Sequence, residues 1–221
     1  MRNALLIGAS GGIGAAIGTE LESRSFRVTG LSRSSDGLDV TDETSVERLL
    51  GCLDNTFDLI FVATGALTPT GAPPEKAIRD VSEAALVAQF KVNAIGPMLV
   101  LKHALHLLPK DRRSVFAAMS ARVGSIGDNK LGGWHGYRAS KAALNQLIHG
   151  ASIELKRTHK QAIAVCLHPG TVATRFTEKY AARHKTTEPD VAASQLIDVF
   201  EGLEVGQTGR FYDFAGLEIP W

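Results

Sequence analysis

Residues 8–14 read Gly8-Ala9-Ser10-Gly11-Gly12-Ile13-Gly14, four glycines in seven positions. A short apolar run, 4–7, precedes them, and a helical pattern, 12–23, follows. Glycine is entropically costly, so it gathers where the backbone must turn with positive φ or pass close to something else. A strand that turns through bare backbone into a helix exposes the helix's free N–H groups and its partial positive charge. Phosphates bind at such a terminus. The feature therefore points to a sheet whose strands hand over to covering helices. No Gly-Lys-Ser/Thr ends the motif, which argues against the P-loop of nucleotide hydrolases. A tight turn without a ligand is the competing reading of the glycines taken alone.

The same alternation continues along the chain. Apolar runs at 27–31, 58–63, 114–119, 162–167 and 210–214 read as strands. Patterns at 42–53, 81–108, 134–157 and 189–200 read as helices, with 81–108 interrupted at Gly96-Pro97. Thr41 or Asp42 is the expected N-cap of the helix at 42–53. Strands apolar on both faces belong inside a parallel sheet covered by helices. The expected fold is α/β: a single-domain doubly wound parallel sheet, a Rossmann fold, with helices on both faces. No repeat, low-complexity tract or linker divides the 221 residues, so 1–221 reads as one domain carrying both cofactor and catalytic sites. No separate substrate domain remains, and the loop at 171–188 is the expected substrate loop.

Composition excludes several functions. Lys and Arg number 24 against 23 Asp and Glu, a net charge of +1. No strong field recruits nucleic acid or an anionic membrane. Cys52 and Cys166 cannot build a disulfide framework and belong to no metal-ligand cluster. His103 and His106 lie three apart on a helix without a third ligand, so no metal is expected. The N-terminal glycines suit a targeting helix poorly, and the longest apolar candidate, 97–109, is broken by Lys102 and His103. The expected compartment is the cytoplasm.

A dinucleotide fold meets the adenine ribose about 20 residues past its glycines, usually with a carboxylate. Here the strand at 27–31 runs into Ser32-Arg33 instead. A hydroxyl and a guanidinium fork suit a ribose 2′-phosphate. NADP(H) is therefore expected in preference to NAD(H). A solvated loop charge is the alternative reading of Arg33. On the helix at 134–157, Tyr137 and Lys141 stand four apart and share one face. A phenol titrates near 10, too high for acid–base work at neutral pH. A neighbouring ammonium favours the phenolate. Such a pair can protonate a carbonyl oxygen while hydride arrives at its carbon.

Gly8-x3-Gly12-x-Gly14, Tyr137-x3-Lys141 and their order along the chain resemble the short-chain dehydrogenase/reductase family. The resemblance covers nearly the whole chain. It implies cofactor contacts from Gly8, Ser10, Gly11, Gly12, Ile13 and Gly14, and from the Asp39-Val40 pair beside the adenine. Asp39 reads equally well as a turn residue approaching a helix. Ala63-Thr64-Gly65 stands where the family has Asn-Asn-Ala-Gly, so only the backbone contact carries over. Asn93 matches the asparagine that anchors a proton-relay water. Its other reading is an asparagine bonding its own helix backbone at a kink. Pro169-Gly170-Thr171 matches the turn facing the nicotinamide carboxamide, with Val172 and Thr174 as further cofactor contacts. His168, just before that turn, reads as a packed strand-end histidine, with a cofactor-facing one as the alternative. Lys141 is also expected to hold the nicotinamide ribose.

The family's catalytic serine lies three residues before a glycine. Counting back from Gly124 gives Ala121, with Ser120 one step early. In a regular strand one step reverses the face. A bend at the strand's end would let Ser120 orient the substrate, and Ser125 is the second candidate. Met119–Ile126, Gly132-Gly133-Trp134 and Phe211–Trp221 resemble the bacterial C-factor-like (C-signal-like) branch. The resemblance implies an NADPH-dependent reductase of a ketone or aldehyde, or the reverse alcohol dehydrogenase, acting as a homodimer or homotetramer. The competing expectation is an NAD(P)-binding signalling or scaffold protein with little turnover.

Overall fold

The computed structural model describes residues 1–178 and 186–221. Residues 179–185, within the expected substrate loop, lie outside the described residues. The strands are β1 (Arg2–Ile7), β2 (Phe26–Leu31), β3 (Leu59–Val62), β4 (Ser114–Met119), β5 (Ala162–His168) and β6 (Phe211–Asp213). They form one parallel sheet in the order β2-β1-β3-β4-β5-β6. The helices are α1 (Gly12–Ser23), α2 (Arg33–Asp36), α3 (Glu43–Gly51), α4 (Glu83–Phe90), α5 (Gly96–Ala104), α6 (His135–Thr158) and α7 (Pro189–Gly202).

Strand side chains alternate between two cores because the side-chain period is two. Leu5, Ile7, Ile60, Val62, Phe116, Ala164 and Cys166 meet α3, α5 and α6 on one face. Leu6, Phe61, Val115, Val165 and Leu167 meet α1 and α7 on the other. Burying a large aliphatic or aromatic side chain contributes about 1.5–3 kcal/mol of transfer free energy. The continuous apolar runs of β3 and β4 are buried throughout for this reason. The doubly wound α/β fold read from the sequence is the fold observed.

The expected interruption at Gly96-Pro97 is absent. The helical path runs from Glu83 to Leu107, with one π turn at Lys91–Ile95. There the Gly96 N–H reaches back five residues to Lys91 O. The widened turn carries the helix into Pro97, which has no N–H to donate. By length and composition alone this 25-residue path would pass for a membrane span. The sequence reading treated Lys102 and His103 as breaking it. Both instead reach Glu43 on α3, at 2.5 and 3.0 Å, and tie the two helices together. At the start of α3 the cap is Asp42, whose side chain accepts from Thr44 N–H at 3.1 Å.

Candidate active site

The glycine turn sits at the C-terminal end of β1, where chain connections leave in opposite directions to β2 and β3. Open α/β sheets bind ligands at such a switch point. Gly8 has φ +89° and donates to Leu31 O at 2.8 Å, which pins the turn to the end of β2. Gly11 N–H then bonds Gly8 O at 3.0 Å. A Cβ on Gly14 would lie 2.2 Å from Gly8 O, so only glycine fits there. No side chain caps α1, leaving its first N–H groups to the space in front of them.

That space is a cavity of about 1080 Å³. Ser10, Gly11, Gly12 and Ile13 line one end, and Ala63, Thr64 and Gly65 the floor. Tyr137, Lys141, Ser120, Pro169, Gly170, Val172 and Thr174 line the rest of the expected set. Lys141 and Arg175 are its cations, and among the described residues no Asp or Glu lines it. Gly12 lies against Thr174, which joins the 171–178 segment to the glycine turn.

Gly8, Gly14, Ser32, Arg33, Asp39, Val40, Asn93 and Thr171 are not on its wall. Gly8 and Gly14 shape the turn from behind. Ser32 caps α2: its hydroxyl accepts from Ser35 N–H, and its own N–H donates to Asp36. Arg33 is exposed beside it. Asp39 accepts from the Thr41 N–H and hydroxyl at 2.8 and 2.7 Å, which holds its carboxyl below the usual range. Asp39 is thus a turn residue in this structure, as its second reading had it. Val40 is buried, packed against Gly96. Thr171 O accepts from Thr187 N–H at 2.9 Å, anchoring the loop.

At the opposite end, the Tyr137 ring stands between Trp134 and Phe176, with centroids 6.3 and 6.1 Å away. Lys141 Nζ lies 5.9 Å from the Tyr137 centroid and donates to Met119 O at 2.8 Å. Burial raises the Tyr137 pKa above its ordinary value and lowers that of Lys141 to about 8. The lowering expected for the phenol from Lys141 is not what the structure gives: burial alone sets the direction of the Tyr137 shift.

Asn93 lies one layer behind this wall, fully buried on the π turn. Its Oδ1 accepts from Ala66 N–H, and its Nδ2 donates to Ala66 O, both at 2.9 Å. It therefore does not bond its own helix backbone; it clamps the loop after β3 onto the helix. Ser120 lines the cavity, but its hydroxyl donates to Asn145 Oδ1 on α6 at 2.7 Å. The backbone at Ala121 stays extended, φ −147° and ψ 144°. Ser125 is buried and accepts from Asp128 N–H at 3.1 Å, away from the cavity wall.

Sequence reasoning missed Arg175 and Phe176, and left His168 out of the site in favour of its packed reading; all three are on the wall. For His168 a signal existed: its period-two partners Ala164 and Cys166 face α6. Arg175 and Phe176 sit in a loop with no period to read.

The family model described as enoyl-(acyl carrier protein) reductase matches residues 31–211. The chain belongs to the short-chain dehydrogenase/reductase family. It is thereby an oxidoreductase fold of a family that uses nicotinamide cofactors. A relative from Rhodococcus sp. strain AD45, 1-hydroxy-2-glutathionyl-2-methyl-3-butene dehydrogenase, is 30% identical over 238 residues and all of both chains. The C-signal of Myxococcus xanthus is 34% identical over 145 residues, 66% of this chain and 84% of that one. Among solved structures, a Burkholderia multivorans short-chain dehydrogenase/reductase with bound NADP superposes with a TM-score of 0.83. It is 27% identical and covers 100% of this chain and 99% of the other.

Proposed function

We propose that this short-chain dehydrogenase/reductase is an NADPH-dependent carbonyl reductase, acting on a ketone or aldehyde and in reverse on the alcohol. The single observation that carries it is the common cavity of the glycine turn and the Tyr137–Lys141 pair. The wall fits a dinucleotide. It has an uncapped helix terminus, no described carboxylate, and a buried Thr64 Oγ1 without a protein partner. When bound, the nicotinamide supplies hydride to the carbonyl carbon. Tyr137 protonates the carbonyl oxygen, and Lys141, charged below pH 8, stabilises the phenolate left behind. Asn93 holds the loop at Ala66 in place, and with it the cavity floor.

Ser32 and Arg33, at the β2 edge of the glycine turn, support NADPH over NADH. Hydrogen bonds to charged groups contribute about 1.5–3 kcal/mol, or ~10- to 100-fold in affinity. Arg33→Ala is expected to weaken NADPH binding by that factor and to leave NADH unchanged. Equal weakening of both cofactors, read by nucleotide fluorescence titration, would sink the preference.

The reading is tested by titrating NADPH and then following its absorbance with benzaldehyde, diacetyl and cyclohexanone. Tight binding without oxidation on any carbonyl favours the second reading, a cofactor-binding signalling or scaffold protein of C-factor type. Ala121, which offers no hydroxyl, and the similarity to C-signal support that reading. The exposed Val87, Ile95 and Ile153 on α4, the π turn and α6 support a homodimer or homotetramer packed through these helices. A monomer mass in sedimentation would exclude it. The free thiols of exposed Cys52 and buried Cys166 suit a reducing compartment, the cytoplasm.

A further inference from the structure

Ser120 N–H donates to Leu167 O at 2.8 Å, so the pairing of β4 with β5 continues one residue past β4. That sets Ser120 beside His168 across the sheet's C-terminal edge. Leu167 faces the α1–α7 core, and Cys166 faces α6. His168 therefore shares the α6 face with Cys166, and the residue lines the same cavity as Tyr137 and Ala121. Its Nδ1 is buried with no hydrogen-bond partner. A buried orphan acceptor is tolerated better than a buried orphan N–H, so the proton belongs on Nε2. An imidazole N–H is then free at the wall where Ala121 leaves a donor missing.

We propose that His168 Nε2–H donates the second hydrogen bond to the substrate's carbonyl oxygen, beside Tyr137, in place of the hydroxyl that Ala121 lacks. The inference rests on the carbonyl reductase reading. His168 keeps its proton throughout. The proton transferred comes from Tyr137, and the hydride from the nicotinamide. Burial, reinforced by Arg122 and opposed by Asp213, pushes the imidazole down to about 4, so it is neutral where the enzyme is assayed. A neutral donor fits an oxygen that gains negative charge and then takes a proton from its neighbour.

The test compares wild type, His168→Leu, His168→Gln, Ala121→Ser and the double variant His168→Leu/Ala121→Ser. Each is assayed with NADPH and whichever of benzaldehyde, diacetyl and cyclohexanone wild type reduces fastest. His168→Leu is expected to lower kcat by about 10²-fold, the scale of losing one such donor. NADPH affinity is expected to stay within about twofold of wild type. His168→Gln, which keeps an N–H, retains most of the rate. Ala121→Ser restores the rate of His168→Leu, because one donor replaces the other. Thermal unfolding of each variant separates misfolding from lost chemistry. If Ala121→Ser helps wild type and His168→Leu equally, His168 is not the stand-in. A loss seen as weaker NADPH binding assigns His168 to the cofactor and likewise overturns the proposal. An active, Tyr137-dependent enzyme indifferent to His168 removes this inference alone. A wild type inactive on all three carbonyls removes it together with the reductase reading.

Discussion

Tyr137→Phe is expected to cut kcat/KM for carbonyl reduction by about 10²–10⁴-fold, the span of a positioned general acid. NADPH binding should remain within about twofold. The substitution is clean because the ring is buried between Trp134 and Phe176, and phenylalanine fills the same space. Only the hydroxyl goes. The direction of the pH dependence follows from Lys141, whose pKa burial lowers to about 8. Below that pH the ammonium is present to stabilise the developing phenolate; above it the charge is lost. Reduction by wild type should therefore decline as pH rises through about 8, and Lys141→Met should remove that limb. Turnover by Tyr137→Phe at the wild-type rate, measured by NADPH absorbance, would dismiss Tyr137 as the acid.

Gly14→Ala is expected to destabilise the chain by about 1–3 kcal/mol or more, the cost of overpacking a closed site. The added Cβ would stand 2.2 Å from Gly8 O. That oxygen belongs to the turn's own backbone, held by Gly8 N–H to Leu31 O and by Gly11 N–H to Gly8 O. It cannot swing away like a flexible side chain. Relief must come from opening the turn, so NADPH affinity should fall together with the unfolding midpoint. Gly150→Ala on α6 is the control. Nothing lies within 4 Å of its Cβ, and its φ is not positive. There the change should be neutral or stabilise by about 0.4–1 kcal/mol, through a less flexible unfolded chain. Equal unfolding midpoints for the two variants in denaturant would refute the packing argument.

Much of the site was legible because its signals are local. The four glycines, the strand before them and the helix after them lie within two dozen residues. They brought Ser10, Gly11, Gly12 and Ile13 to the cavity wall, and the four-residue spacing brought Tyr137 and Lys141 there too. Asp39 shows the limit of resemblance. Its carboxylate is spent two residues away on Thr41, a local bond that the Asp-x-Thr sequence itself offers. The proline at 97 was read as an interruption because period analysis counts only α-turns. One π turn absorbs it.

The sequence by itself determined the alternation of strand and helix, the two-faced burial of the strands, the glycine turn and the tyrosine–lysine face. Each depends on periodicity or on a backbone requirement carried by neighbouring residues. Only the tertiary structure decided where the side-chain hydrogen bonds go. Asn93 meets Ala66 across 27 positions, and Ser120 meets Asn145 across 25. His168 reaches the wall beside Ser120 through the register of β4 with β5. Those partners are set by how helices dock on the sheet. A buried polar group must satisfy itself with whatever that docking brings near.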